Sequence, residues 1–335
     1  MEKMANSPAN CIQRSLQGFA CTNRSLYEIV GGTQAIKLKK LKKNQPAIVV
    51  GGCHGYEPVF AFMLGSNLAD AVVCGNSFAP VDPNEIMRTA LSVNNGSGIL
   101  LICGNNAAEK MLFDYADGLL DEANIDSRVI YVWDDVLSES RERIKYRRAL
   151  AGNLLILKIA GAAATSGLGL EETFNITKKA RDNTFSIGLG LKGDLRADIF
   201  DDVEYGVGMH GEPGIKRAKL QSVDEITDSA AELLLKESDI AQGDCVSTYI
   251  SGIGAIDYMV LCMINLELSR TMRERNVRVH EMIINPVVSK NDMVGASITL
   301  MKMDDELKKY YDTPCDSQYY QKNVLPLGQT EIKHA

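Results

Sequence analysis

The first half of the chain contains four apolar runs, each closing on a loop of glycine or acidic residues. Pro46 to Val50 runs into Gly51-Gly52, Ala69 to Cys74 into Gly75, Gly98 to Cys103 into Gly104-Asn105-Asn106, and Arg128 to Val132 into Asp134-Asp135. Short apolar runs rich in β-branched side chains fit strands buried on both faces. Helical stretches separate them, so the pattern predicts a mostly parallel sheet with its ligand loops at the carboxyl ends of the strands.

The expected fold class is α/β, with two domains, each a mostly parallel or mixed sheet carrying helices on both faces. The chain has 335 residues, 45% of them hydrophobic, which is enough for a core in each domain. The first domain is expected over 1–183, joined by the tail 314–335, and the second over 184–313. The first forty residues read as helices, and Lys37 to Lys43, with Leu38 and Leu41 one turn apart, as a surface helix with a solvated lysine face. Leu154 to Thr177 suits one close-packed helix. In the second domain, strands are expected at Phe185–Leu191, Asp244–Ile250, Val277–Ile284 and Ser297–Met303, and helices at Ser222–Lys236, Ile256–Arg275 and Asp304–Tyr311.

A net charge of −7 argues against a nucleic-acid surface. No apolar run reaches the ~20 residues of a spanning helix, and Met1 to Gln17 lacks the pattern of a signal peptide. The expectation is a cytoplasmic protein without direct membrane contact. The eight cysteines contain no CxxC pair, so reduced thiols and no structural zinc are expected. Neither a Walker loop nor a dinucleotide fingerprint occurs at the glycine loops, and no cofactor or metal is expected.

Two loops carry the chemistry. Gly206-Val207-Gly208-Met209-His210-Gly211-Glu212-Pro213-Gly214 places one histidine among four glycines and a proline, a composition for a shaped loop following a short strand. Its alternative reading is a turn with an incidental histidine. Gly51 to Pro58 offers backbone N–H groups at a strand end, suited to a small polar or anionic ligand. Cys53 in that loop reads either as a reactive thiol or as a small pocket-lining residue.

Together the loops resemble the dihydroxyacetone-binding subunits of dihydroxyacetone kinases, the DhaK family. The similarity is carried by Gly51-Gly52-x-x-Gly55-x-Glu57-Pro58, Ala71 to Gly75, Leu100-Leu101-Ile102 with Asn105, Asp134-Asp135-Val136, Lys158 to Ala164, Gly206 to Gly214, Gly252-Ile253-Gly254 and Ser297 to Leu307. It covers nearly the whole chain. The resemblance implies a DhaK-like fold, a homodimer, and His210 as the nucleophile that holds dihydroxyacetone as a covalent hemiaminal, with Gly52, Cys53, Tyr56, Gly104 and Glu109 around the pocket.

Three positions depart from the family pattern. The histidine of Gly-Gly-Gly-Ser-Gly-His-Glu-Pro is Tyr56 here, and a phenol with a pKa near 10 is a poor acid or base at neutral pH. In the third loop the family's lysine is Gly104 and its catalytic aspartate is Glu109. Moving a catalytic carboxylate by about 1 Å costs on the order of a hundredfold in rate. This set of departures resembles the non-catalytic coactivators of the family, the DhaQ type, which imply a TetR-type transcriptional activator as protein partner. The alternative is a working kinase subunit in which Tyr56 and Glu109 serve as the catalytic pair and a separate nucleotide-carrying subunit donates phosphate.

Overall fold

The structure, a computed structural model, describes residues 10–52, 60–75, 81–194, 199–288 and 293–323. The chain opens with helix α1 (Cys11–Thr22), followed by β1 (Tyr27–Ile29), β2 (Ala35–Leu38), β3 (Ala47–Gly52), β4 (Gly65–Ser66) and β5 (Ala71–Cys74). Then come α2 (Pro83–Val93), β6 (Ile99–Gly104), α3 (Ala107–Glu122), β7 (Ser127–Val132), α4 (Asn153–Thr165) and α5 (Leu170–Asp182). The remainder is β8 (Thr184–Asp194), β9 (Ile199–Tyr205), β10 (Lys216–Lys219), α6 (Val223–Glu237), β11 (Cys245–Gly254) and α7 (Tyr258–Glu274). It ends with β12 (Arg278–Val288), β13 (Val294–Lys302), α8 (Asp305–Tyr311), β14 (Cys315–Ser317) and β15 (Gln321–Lys322).

The four apolar runs become β5, β3, β6 and β7, adjacent and parallel in a sheet of order β1-β2-β5-β3-β6-β7. β3 and β6 are buried along their whole length, as strands covered on both faces must be. The second sheet, of order β10-β9-β8-β13-β11-β12, is antiparallel except for the β11–β12 pair. The molecule is thus an α/β fold with mixed sheets.

Three local expectations are corrected. The first forty residues are not all helical, because after α1 the chain forms β1 and β2, and β2 pairs antiparallel with β5. The lysine run is therefore not a surface helix: Leu38 is buried in β2 and Lys37 donates from Nζ to the Ser92 carbonyl at 3.0 Å. Sheet pairing overrides local pattern where a free strand edge is available. Leu154 to Thr177 is two helices, broken at Gly167, whose φ of +92° only glycine adopts readily. Of these, α4 is apolar around its circumference apart from Asn153 and Lys158 and is buried from Asn153 to Ala164, the mark of a core helix.

Residues 315–322 lie against the first half of the chain. Ser317 of β14 pairs with Gly65 of β4, and Tyr319 stacks on Phe62 with ring centroids 4.6 Å apart. Trp133 lies under the Arg181 guanidinium, 3.6 Å from the ring centroid. No helix among the described residues is long and apolar enough to cross a membrane.

One close approach positions the histidine loop. Val207 lies directly on β8, where a Cβ at Gly188 would stand 2.0 Å from the Val207 carbonyl oxygen. Gly188→Ala should therefore push the loop off the sheet and lower stability by about 2–3 kcal/mol. Urea unfolding of the variant measures this.

Candidate functional site

The connection between β9 and β10 is a hairpin loop with His210 near its tip. Positive φ values at Gly206 (+85°) and Gly211 (+88°) turn the chain. Within the loop, the Gly211 N–H donates to the Gly208 carbonyl at 3.1 Å and the Gly208 N–H to that of Glu212 at 3.0 Å. Buried Val207 packs with Ile253 and Met293, and buried Met209 with Leu150. The imidazole is left a quarter exposed.

Glu212 orients that imidazole. Its Oε2 accepts the His210 backbone N–H at 2.9 Å, and its Oε1 stands 3.4 Å from Nδ1. Burial pushes the Glu212 carboxyl up, but hydrogen bonding from His210, with the nearby Arg148 charge, outweighs this and brings it down to about 2. A carboxylate held ionised beside Nδ1 favours the tautomer with the proton on Nδ1, which makes Nε2 the nucleophilic nitrogen.

The sign of the pH dependence follows. A carboxyl depressed from 4.5 to about 2 on folding contributes stability that is present above pH 4.5 and lost as the pH falls toward 2. Across that window the wild-type unfolding midpoint should fall more steeply than that of Glu212→Gln, and acid unfolding of the two proteins tests it.

The loop is tied to the first sheet through Arg148. Its Nη2 donates to the Gly206 carbonyl at 2.9 Å and to Asp135 Oδ2 at 2.7 Å, with Nε adding a bond to the same oxygen at 3.1 Å. Asp135 is fully buried, so this charge-assisted contact holds the loop after β7 against the histidine loop. Its neighbour Asp134 accepts the Leu150 and Gly152 N–H groups, each at 2.8 Å, and the Ser186 hydroxyl of β8. Asp134-Asp135 was visible in the sequence as a loop motif. Arg148 and Ser186 were not, since each acquires its role from a partner distant in sequence.

The second group of expected residues gathers at the ends of β3 and β6. Val50 pairs with Ile102, so Gly52 and Gly104 are neighbours at the two carboxyl ends. Glu109 lies in the first turn of α3, whose N-cap Asn106 accepts the Glu109 N–H at 2.8 Å. The Glu109 side chain is buried across both glycines: a Cβ at Gly52 would meet its Oε1 at 2.6 Å, and one at Gly104 its Oε2 at 2.4 Å. Glycine at 104 and glutamate at 109 are therefore coupled, because the carboxylate occupies the space where a side chain at 104 would begin.

This group and the histidine loop meet through the 145–149 segment. Asn105 Nδ2 donates to the carbonyls of Lys145 (2.7 Å) and Arg147 (2.9 Å), and the position for a Cβ on Gly104 lies 3.4 Å from that of Ala149. Arg148, between them, reaches Gly206. Cys53 and Tyr56 lie outside the described residues.

A family model described as the Dak1 domain matches residues 17–319. The PTS-dependent dihydroxyacetone kinase 2, dihydroxyacetone-binding subunit DhaK of Listeria innocua is 31% identical over 330 residues, which cover 96% of this chain and 99% of that protein. A D-erythrulose kinase of Mycolicibacterium smegmatis is 30% identical across 97% of this chain but only 57% of its own length. A solved structure described as the dihydroxyacetone kinase operon co-activator Dha-DhaQ has a TM-score of 0.81 at 24% identity, covering 90% of this chain and 96% of its own. At that identity the likeness is one of fold.

Proposed function

The chain belongs to the Dak1 domain family, and from that premise we propose that it is a dihydroxyacetone-binding coactivator. It holds the ketone at His210 and, when loaded, binds a TetR-type transcriptional activator. In the capture step His210 Nε2 attacks the ketone carbon, an N–C bond forms, and the carbonyl π pair moves to oxygen. The proton that leaves Nδ1 is passed by Glu212 to that oxygen, giving a neutral hemiaminal with Glu212 again ionised. Glycerol has no carbonyl and is excluded by chemistry.

The observation that carries the non-catalytic reading is the Glu109 carboxylate lying across Gly52 and Gly104. In the family pattern a lysine and a shorter acid share this place, and phosphoryl transfer depends on such groups being positioned for the transition state. The coactivator fold of the Dha-DhaQ structure is compatible with this reading. A ligand drives such a switch only through different affinities for two states of the protein, and the Arg148 link between the histidine loop and Asp135 is where the two sheets would feel the ligand.

We assign residues 1–183 with 314–335 to one unit and 184–313 to the other, supported by the pairing of β14 with β4. A homodimer is proposed as the assembly. Exposed Met259, Met263 and Leu266 on α7 supply an apolar surface for it, and light scattering reads the mass.

The second reading, an active kinase subunit, is favoured by the 31% identity to a kinase subunit. Incubating the purified chain with dihydroxyacetone, a nucleotide-carrying kinase subunit and a phosphate donor separates the two. Capture without turnover is expected, and robust turnover would sink the coactivator reading.

A further inference from the structure

Lys158 lies in the middle of the buried helix α4 and has no exposed surface. Its Nζ donates to the Thr313 carbonyl at 2.9 Å and stands 3.4 Å from Cys315 Sγ. The Tyr311 and Tyr320 rings close the pocket, with centroids 5.4 and 5.8 Å from Nζ. Cys315 is buried in β14 and forms no disulfide. None of these groups belongs to the ligand site.

An ammonium in such surroundings is costly. Burial lowers the Lys158 pKa, with the Cys315 sulfur acting against it, and so brings the neutral amine, with its lone pair, within reach. The pocket thus sets an amine beside a thiol in a dry environment.

We propose that Lys158 and Cys315 form a site of covalent modification, an oxygen-bridged N–O–S link made with dioxygen and reversed by thiols. One amine, one thiol and one dioxygen give the bridge and one water. An N–H and the S–H bond break and the O=O bond is cleaved, while N–O and O–S bonds form. One oxygen atom stays in the bridge, and the other leaves as water with the two released hydrogens. Nitrogen and sulfur each lose two electrons, and dioxygen takes the four. The flexible lysine stem lets the nitrogen close the remaining gap. The bridge ties α4 to the strand that returns from the second half of the chain, across 157 positions, and so restrains the unfolded chain.

The test uses the full chain, kept in air-saturated buffer or in buffer with excess thiol, followed by intact-mass measurement and tryptic mapping. The air-exposed protein is expected to contain a species about 14 Da heavier, one oxygen gained and two hydrogens lost. That species should resist trypsin after Lys158 and yield a crosslinked peptide joining Lys158 to Cys315, and added thiol should reverse both. Cys315→Ser should show neither. Normal cleavage after Lys158 in the air-exposed wild-type protein, with Cys315 unmodified or carrying oxygen without a crosslink, overturns the proposal. That measurement needs no variant to fold.

Discussion

His210→Ala should abolish retention of dihydroxyacetone and leave the fold in place. The loop does not depend on the imidazole for its shape: Val207 and Met209 are its buried anchors, and Arg148 holds the Gly206 carbonyl. The side chain removed is a quarter exposed, so little packing is lost, whereas the bond-forming nitrogen is lost entirely. Calorimetric titration should show at least a hundredfold loss of affinity, about 3 kcal/mol. With ketone-carbon-labelled dihydroxyacetone, the wild-type resonance should move from the carbonyl region to that of a tetrahedral carbon, and the variant should show no such change. Unaltered binding by the variant would refute covalent capture. Glu212→Gln should fall between the two, near a tenfold loss, because an amide still accepts a hydrogen bond but takes up no proton from Nδ1.

The second large effect is a gain of function. Tyr56→His, Gly104→Lys and Glu109→Asp together should raise phosphorylation of dihydroxyacetone by at least about a hundredfold over the wild-type chain in the presence of a phosphate-donating subunit. The substitutions should not be additive. A lysine alone at 104 sets its Cβ 2.4 Å from Glu109 Oε2 and must displace that carboxylate. Glu109→Asp, one methylene shorter, removes the conflict, so the pair should exceed the sum of its parts. Rates compared across the single, double and triple variants measure the coupling. A wild-type rate equal to that of the triple variant would contradict the coactivator reading.

Positions differ in how plainly the sequence displayed their place. The strands β3, β5 and β6 were legible because they are buried along their length and announce themselves by composition alone. β1 and β2 were not, because three- and four-residue strands carry no period and exist through pairing, β1 with β2 and β2 with β5. Leu154 to Thr177 concealed a break, since the same small apolar residues suit one helix or two and the turn hangs on Gly167. His210 stood out through its glycines and proline. The coupling of Gly104 to Glu109 was readable as two substitutions, but their common cause, one carboxylate over two adjacent strand ends, was not.

Residue type and local order were sufficient for the buried strands, for the glycine loops at their ends, and for a histidine in a shaped loop; the ketone chemistry assigned to it came from the family resemblance. Which charged groups meet was settled by packing. Arg148 finds Asp135 and, 58 positions away, the Gly206 carbonyl. Lys158 finds Cys315 after 157. Contacts across such separations leave no periodic trace in a chain, because they arise where two independently formed layers come together and a buried charge takes the nearest acceptor.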